Sequence, residues 1–230
     1  TGLSSFNTLG LENVTDLSST WSGCTSLTSF DASGLTSAIN LSNTWLNCTG
    51  LSSFNTLGLT SVEDVTSAWK GCTGLTTFNT VNMTFLQNAT SAWELCSGLT
   101  HFTIGVLGFI QTITSSWKDC TSLTTIIGEV PSVTEIDSAW ENCAKLTTFD
   151  VIGLTSIQSP DSTWKNCSSL TSFSAQMDSI KIANSTWENC RLLQSFTTSL
   201  PDITVANSTW KDCLSLTSFD PSSMVVLKDA

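Results

Sequence analysis

The sequence predicts a mainly β fold: a solenoid of about nine to ten coils of 23–24 residues, stacked along a parallel β-sheet. Three observations predict it. Tryptophan recurs at 21, 45, 69, 93, 117, 140, 164, 187 and 210, in steps of 23 or 24. Other apolar residues follow each Trp at fixed offsets, and one column of charges alternates in sign from unit to unit.

Each Trp stands three residues before a Cys (Cys24 through Cys213) and six before a Leu (Leu27 through Leu216). Nine residues on stands Phe, replaced by Ile126 in the fifth unit. Ser lies two residues before each Trp except in the second unit, which has Asn43. Aliphatic residues precede the Trp by about ten and seven positions, as in Leu59 and Val62 or Leu107 and Ile110. All nine Trp and all nine Cys belong to this pattern, so the repeat spans the chain. The period is too short for a helical hairpin and fits one coil of a leucine-rich or related solenoid. The β-branched and aromatic run "LTTFNT" from Leu75 predicts a short strand, and "DASG", "NTLG" and "DVIG" after Phe30, Phe54 and Phe149 predict turns.

The charge column requires adjacent coils. Immediately after each Trp, from the third unit on, stand Lys70, Glu94, Lys118, Glu141, Lys165, Glu188 and Lys211. If successive units are lateral neighbours, alternation sets each charge between opposite charges, where a repeated Lys would set like beside like.

The stack gives the Trp column a structural role. A buried Trp removes roughly 150–250 Å² from water, worth on the order of 4–6 kcal/mol as an upper bound. Each indole N–H then needs an acceptor, for which the neighbouring Ser or a turn carbonyl is expected. The competing reading is an aromatic face that stacks on glycans. The Cys column reads as a row of small buried hydrophobes. Nine is an odd number, no CxxC pair of the zinc-site kind occurs, and parallel side chains nearly 5 Å apart suit a disulfide poorly. Some oxidised pairs are the alternative.

After Asn13 the run "NVTDLSSTWSGCTSLTSF" resembles the BspA-like leucine-rich repeats and the related bacterial-surface-protein repeat. In that group the core runs from an Asn-Val-Thr-Asp start to Met-Phe or Ala-Phe, then Cys and Leu. Here "SAWKGC", "SAWENC" and "STWKNC" fill the same slots, with Trp where the family usually has Phe. The resemblance implies a leucine-rich-repeat solenoid with one parallel sheet. It also implies surface-exposed proteins of bacteria, protists and some viruses, often linked to adhesion.

Composition narrows the function. A net charge of −11 with only eight Lys and Arg argues against nucleic acid, whose phosphates need clustered cations. No apolar run approaches the ~20 residues of a membrane span, and no signal peptide is visible. Catalysis is not expected, nor any metal or cofactor. His101 is the one imidazole and occupies a slot that other repeats fill with Thr or Ser, so it reads as an exposed substitution. No nucleophile–base arrangement or phosphate loop is found.

Binding through the sheet is the expected use. The outward column just before the Phe includes Ser53, Thr77, His101, Thr125 and Thr148, and the column just after it includes Asn55, Asn79, Thr103, Ile127 and Asp150, ending at Asp220. The candidate binding face drawn from them is Ser53, Asn55, Thr77, Asn79, His101, Thr103, Thr125, Thr148 and Asp150. Such a hydroxyl-rich face suits a host-surface glycan or protein, or neighbouring subunits; the bland alternative is a solvated sheet. A structural shaft carrying its binding tip elsewhere is a second reading. Ice binding is a third, opposed by irregularities such as His101 and Ile127. The chain opens on Thr1 within a repeat and ends in "FDPSSMVVLKDA" before another Trp, so residues 1–230 are expected to form one solenoid cut from a longer protein. An extracellular, cell-surface or virion setting is expected, with sequons such as Asn13, Asn82 and Asn184.

Overall fold

A computed structural model describes residues 2–219; Asp220 and the rest of the closing segment lie outside them. Each coil begins with a run of tight turns around its Trp. The backbone alternates two kinds of bond there. Amides such as Thr20 and Cys24 close turns onto Leu17 and Trp21 at 3.1 and 3.2 Å, while those of Trp21 and Gly23 reach the next coil, at Thr44 and Leu46, at 2.9 and 2.7 Å. This alternation demands left-handed residues at fixed places. Those two before and two after each Trp, for example Ser67 and Gly71, have φ of 53° and 74°. Gly, Asn and Asp dominate the second of these rows because they tolerate that conformation. The Ser column two before the Trp thus marks a backbone geometry.

Past the Cys the chain extends into a strand: β1 (Ser29–Asp31), β2 (Ser53–Asn55), β3 (Thr77–Asn79), β4 (His101–Val106), β5 (Thr125–Glu129), β6 (Thr148–Ile152), β7 (Ser172–Phe173) and β8 (Ser195–Phe196). All pairings are parallel and, up to a slip late in β4–β5, in register, so Phe78, Phe102, Ile126 and Phe149 lie side by side. A second parallel row joins the coils before their Trp, through single bridges from Asp16 to Asn40, Asp64, Asn88, Thr112 and Glu135.

Two expectations need correction. Instead of one continuous sheet, the strands form three, β1–β2, β3–β6 and β7–β8. Strands of two or three residues share so few ladder bonds that a small offset breaks the pairing. The aromatic column bridges both breaks, with Phe54–Phe78 at 5.6 Å and Phe149–Phe173 at 5.5 Å. Among the described residues the complete turns are also slightly fewer than nine to ten. After β8 the last described coil contributes only isolated bridges, Val205 to Ile182 and Ser218 to Ser195.

The core is a set of ladders. Successive Trp rings stack at 5.2–5.9 Å with interplanar angles of 1–13°. The Phe column threads between them: Phe54 meets Trp45 and Trp69 nearly at right angles, at 4.8 and 5.1 Å. Such pairs add roughly 0.5–1.5 kcal/mol each beyond burial. The expected indole partner does not appear. Eight indole nitrogens, from Trp45 to Trp210, are buried without an oxygen acceptor. The turn carbonyls nearby already accept from amides and thiols, as Trp45 does from the Cys48 N–H and the Cys72 Sγ.

The nine cysteines are free. From Cys48 on, each thiol donates to the carbonyl of the preceding coil's Trp at 3.1–3.2 Å. Burial pushes these thiols up, Cys48 to about 11 and Cys72 further, so they stay protonated.

The charge column forms as ion pairs across neighbouring coils. Lys70–Glu94, Lys118–Glu141 and Lys165–Glu188 lie at 2.8–2.9 Å, and Lys211 adds a second partner to Glu188 at 3.0 Å. Lys165 and then Lys211 hold the Glu188 carboxyl down at about 2.

Candidate functional site

The strand register decides which of the sequence-predicted residues share a surface. Thr77, His101, Thr125 and Thr148 form one continuous row on β3–β6, and Asn79, Thr103, Ile127 and Asp150 form the next. Ser53 and Asn55 belong to the neighbouring β1–β2 sheet, paired with Ser29 and Asp31. All nine candidates reach solvent, Thr125 only partly. His101 is exposed as expected, with its Nδ1 3.0 Å from the Thr100 hydroxyl.

Two candidates already have local work. The side-chain oxygens of Asn55 and Asn79 accept from the amides two residues on, Leu57 at 3.1 Å and Val81 at 3.4 Å, as Asp31 does from Ser33 at 3.0 Å. These are Asx turns, and they end the strand. Asn55 also donates to Asp31 at 2.9 Å, so its amide is engaged on both atoms. The Asn and Asp of this column therefore serve the turn first.

At β4 and β5 the column has neither Asn nor Asp, and the strand runs on. Thr103 and Ile127 offer no such acceptor, and β4 and β5 extend to Val106 and Glu129. The pairing slips between Thr103 and Val106, so that three steps on β4 match two on β5. This bulge absorbs the 23-residue step from Trp117 to Trp140. Two glycines make it possible. A β-carbon on Gly105 would lie 2.9 Å from the Val81 Cα, and one on Gly128, at φ +148°, would lie 2.3 Å from the Ile104 carbonyl oxygen.

Over this irregularity the sheet opens into a groove of about 460 Å³. Val81, Val106, Ile127 and Ile152 line it with aliphatic surface, and Thr103, Glu129 and Asp150 supply its polar groups. Those aliphatic residues are 39–64% exposed. The candidate list therefore contains Thr103 and Asp150 of the groove and misses its apolar lining. The sequence signals were the missing Asx residues at 103 and 127 and the short step after Trp117.

Among the described residues no group of three His, Cys, Asp or Glu is placed to hold a metal, and no helix is long and apolar enough to cross a membrane.

A search of curated proteins finds no match. Among solved structures, the chain is similar to a leucine-rich repeat protein from Bacteroides ovatus ATCC 8483 (14% identity, TM-score 0.40, 89% of this chain and 70% of that one). It is also similar to a leucine-rich cell surface protein from Faecalibacterium prausnitzii A2-165 (15% identity, TM-score 0.40, 86% and 80%). A third is the functional domain of InlJ from Listeria monocytogenes, described as including a cysteine ladder (15% identity, TM-score 0.38, 88% and 45%). The family model for the BspA-type leucine-rich repeat region matches in six copies, over residues 42–160 and 89–217. The chain belongs to the BspA-type leucine-rich repeat family.

Proposed function

We propose that this chain is a non-catalytic recognition module, displayed outside the cell or on a particle, that binds a host-surface glycan or protein through its sheet face. The observation that carries the reading is the register of that face. The hydroxyls of Thr77, Thr125 and Thr148, together with His101, stand in one row across four paired strands, and the three Thr hydroxyls take part in no hydrogen bond among the described residues. Groups left unpaired on a rigid, repeated surface are available to a ligand. Chemistry is disfavoured by what surrounds the obvious nucleophiles: the buried thiols are held protonated, and the Nδ1 of the one imidazole lies against the Thr100 hydroxyl.

The test is binding of the folded protein to host cells and to a glycan panel, beside a Thr77→Lys, Thr125→Lys, Thr148→Lys variant whose circular dichroism matches the parent. Saturable binding that the variant loses is the expected result. Binding that the variant retains, or that neither protein shows, turns these repeats into a structural shaft.

A further inference from the structure

We propose that the groove over β4–β6 is the contact point for a protein partner, which presents to it an apolar side chain flanked by Lys or Arg. The proposal rests on the reading of the sheet face as a recognition surface and names the class of its partner.

The coils that make the groove carry several exposed apolar side chains; Leu9, Leu57 and Leu214 are exposed elsewhere. Val81, Val106 and Ile152 are 55%, 64% and 58% exposed. Along the same two coils, four residues beyond Val81 and three beyond Val106, stand Phe85 and Phe109, also more than half exposed. Their rings stack at 5.9 Å with an interplanar angle of 11°. Eight residues before the Trp, where these two phenylalanines stand, neighbouring coils carry Ser37, Ser61, Ser132 and Ser156. A solvent-facing pair of phenyl rings in a serine column has no core to serve. Exposed apolar surface of this kind marks association.

The chemistry favours a protein over a sugar. A glycan site needs several donors and acceptors converging on hydroxyls, whereas this groove is walled by branched aliphatic side chains with few polar groups. Its charged groups are Glu129 and Asp150, and no cation lines it. Lys70, Lys118, Lys165 and Lys211 are committed to Glu94, Glu141 and Glu188 in the ladder beside the Trp column. With a net charge of −11, the field of the whole chain also draws in cationic segments. The same carboxylates oppose a second copy of this chain, since self-association through the groove would bring like charges together. Extended strands, the bulge and the two glycines hold the groove open without a ligand, which lowers the ordering cost of binding.

The experiment is selection of random linear peptides on the immobilised folded chain, counter-selected on a Val106→Ser, Ile152→Ser variant. Both positions are solvent-exposed, so the substitutions leave the core alone, and circular dichroism checks this. Enriched sequences are expected to pair an apolar residue with Lys or Arg. A synthetic peptide of that sequence is expected to bind the variant about tenfold more weakly, as loss of a central contact does. Glu129→Gln with Asp150→Asn is expected to weaken binding severalfold and to flatten its salt dependence. Failure to enrich any peptide, enrichment without basic residues, or equal binding to the variant overturns the proposal. A glycan-panel signal lost in the Val106→Ser, Ile152→Ser variant would overturn it in favour of a sugar, and a dimer dissolved by the same variant would overturn it in favour of self-association. If host-cell binding depends on Thr77, Thr125 and Thr148 while no peptide is selected, the recognition face stands and only this partner falls.

Discussion

The thiol of Cys120 donates to the carbonyl oxygen of Trp93, one coil back, at 3.1 Å. That contact ties two core ladders together, since the same carbonyl already accepts the amide of Cys96. It explains why the column holds Cys: a small apolar side chain whose weak donor reaches back to the preceding coil. Cys120→Ala removes the sulfur and leaves a small void, and is expected to cost about 1–2 kcal/mol in denaturant unfolding.

The same burial predicts chemical silence. Cys72, Cys96, Cys120, Cys143, Cys167 and Cys190 are buried, and burial raises each thiol. Alkylation of the native protein at mildly alkaline pH is expected to spare these six. Partly exposed Cys24 and Cys213 label first, and all nine label after denaturation. Rapid native modification of Cys120, read by peptide mass spectrometry, would contradict the ladder.

Leu95 sits at φ 64° in a row where other coils place Gly, Asn or Asp. A leucine held there carries roughly 1 kcal/mol of backbone strain. Leu95 is also 43% exposed, so little burial is lost by replacing it. The later part of the row is a side-chain ladder, with Asn142 donating to Asp119 at 2.7 Å and Asn166 to Asn142 at 2.7 Å. Leu95→Asn is therefore expected to stabilise the protein by about 0.5–1 kcal/mol, seen as a raised Tm.

Glu188 supplies the pH dependence. Its carboxyl is held at about 2 by Lys165 and Lys211, below its ordinary 4.5. The unfolded state therefore binds this proton first as pH falls. The stabilisation is fully present above about 4.5 and is lost as pH drops toward 2. Glu188→Gln is expected to cost about 1 kcal/mol at neutral pH, in line with a small ion-pair network, and to flatten the stability curve across that interval. A parallel downward shift at every pH, measured by urea midpoints, would locate the effect in packing.

Gly128 tests the groove's frame. With φ +148° and the Ile104 carbonyl oxygen 2.3 Å from where a β-carbon would sit, Gly128→Ala must displace β5 from β4. A loss of about 2 kcal/mol or more is expected, with faster amide exchange in β4 and β5 than in β7 and β8.

The parts of the fold that repeat were legible because a stack turns each sequence column into a row of neighbours. Trp117 and Trp140 lie at 5.4 Å because the column places them one coil apart, and Lys118 pairs with Glu141 for the same reason. Geometry that acts through backbone angles was less legible. The Ser column before the Trp was visible, but nothing in the residue type alone announces a φ near 55°. The Asx turns of Asn55 and Asn79 drew attention as polar surface when their first partner is the chain itself. The groove was hidden because it arises where the pattern lapses. Ile127 looks like a defect in a polar column, yet together with one missing residue and two glycines it lengthens the strands and opens the sheet.

The most direct measurement of the central claim compares saturation binding to host cells for three folded proteins. They are the parent, the Thr77→Lys, Thr125→Lys, Thr148→Lys variant on the sheet, and a Thr73→Lys, Ser97→Lys, Thr121→Lys variant on the exposed row just after the Cys column. The added charge is the same in both variants. Binding lost only in the sheet variant is the predicted result. Equal loss in both, or none in either, would contradict a recognition surface on β3–β6.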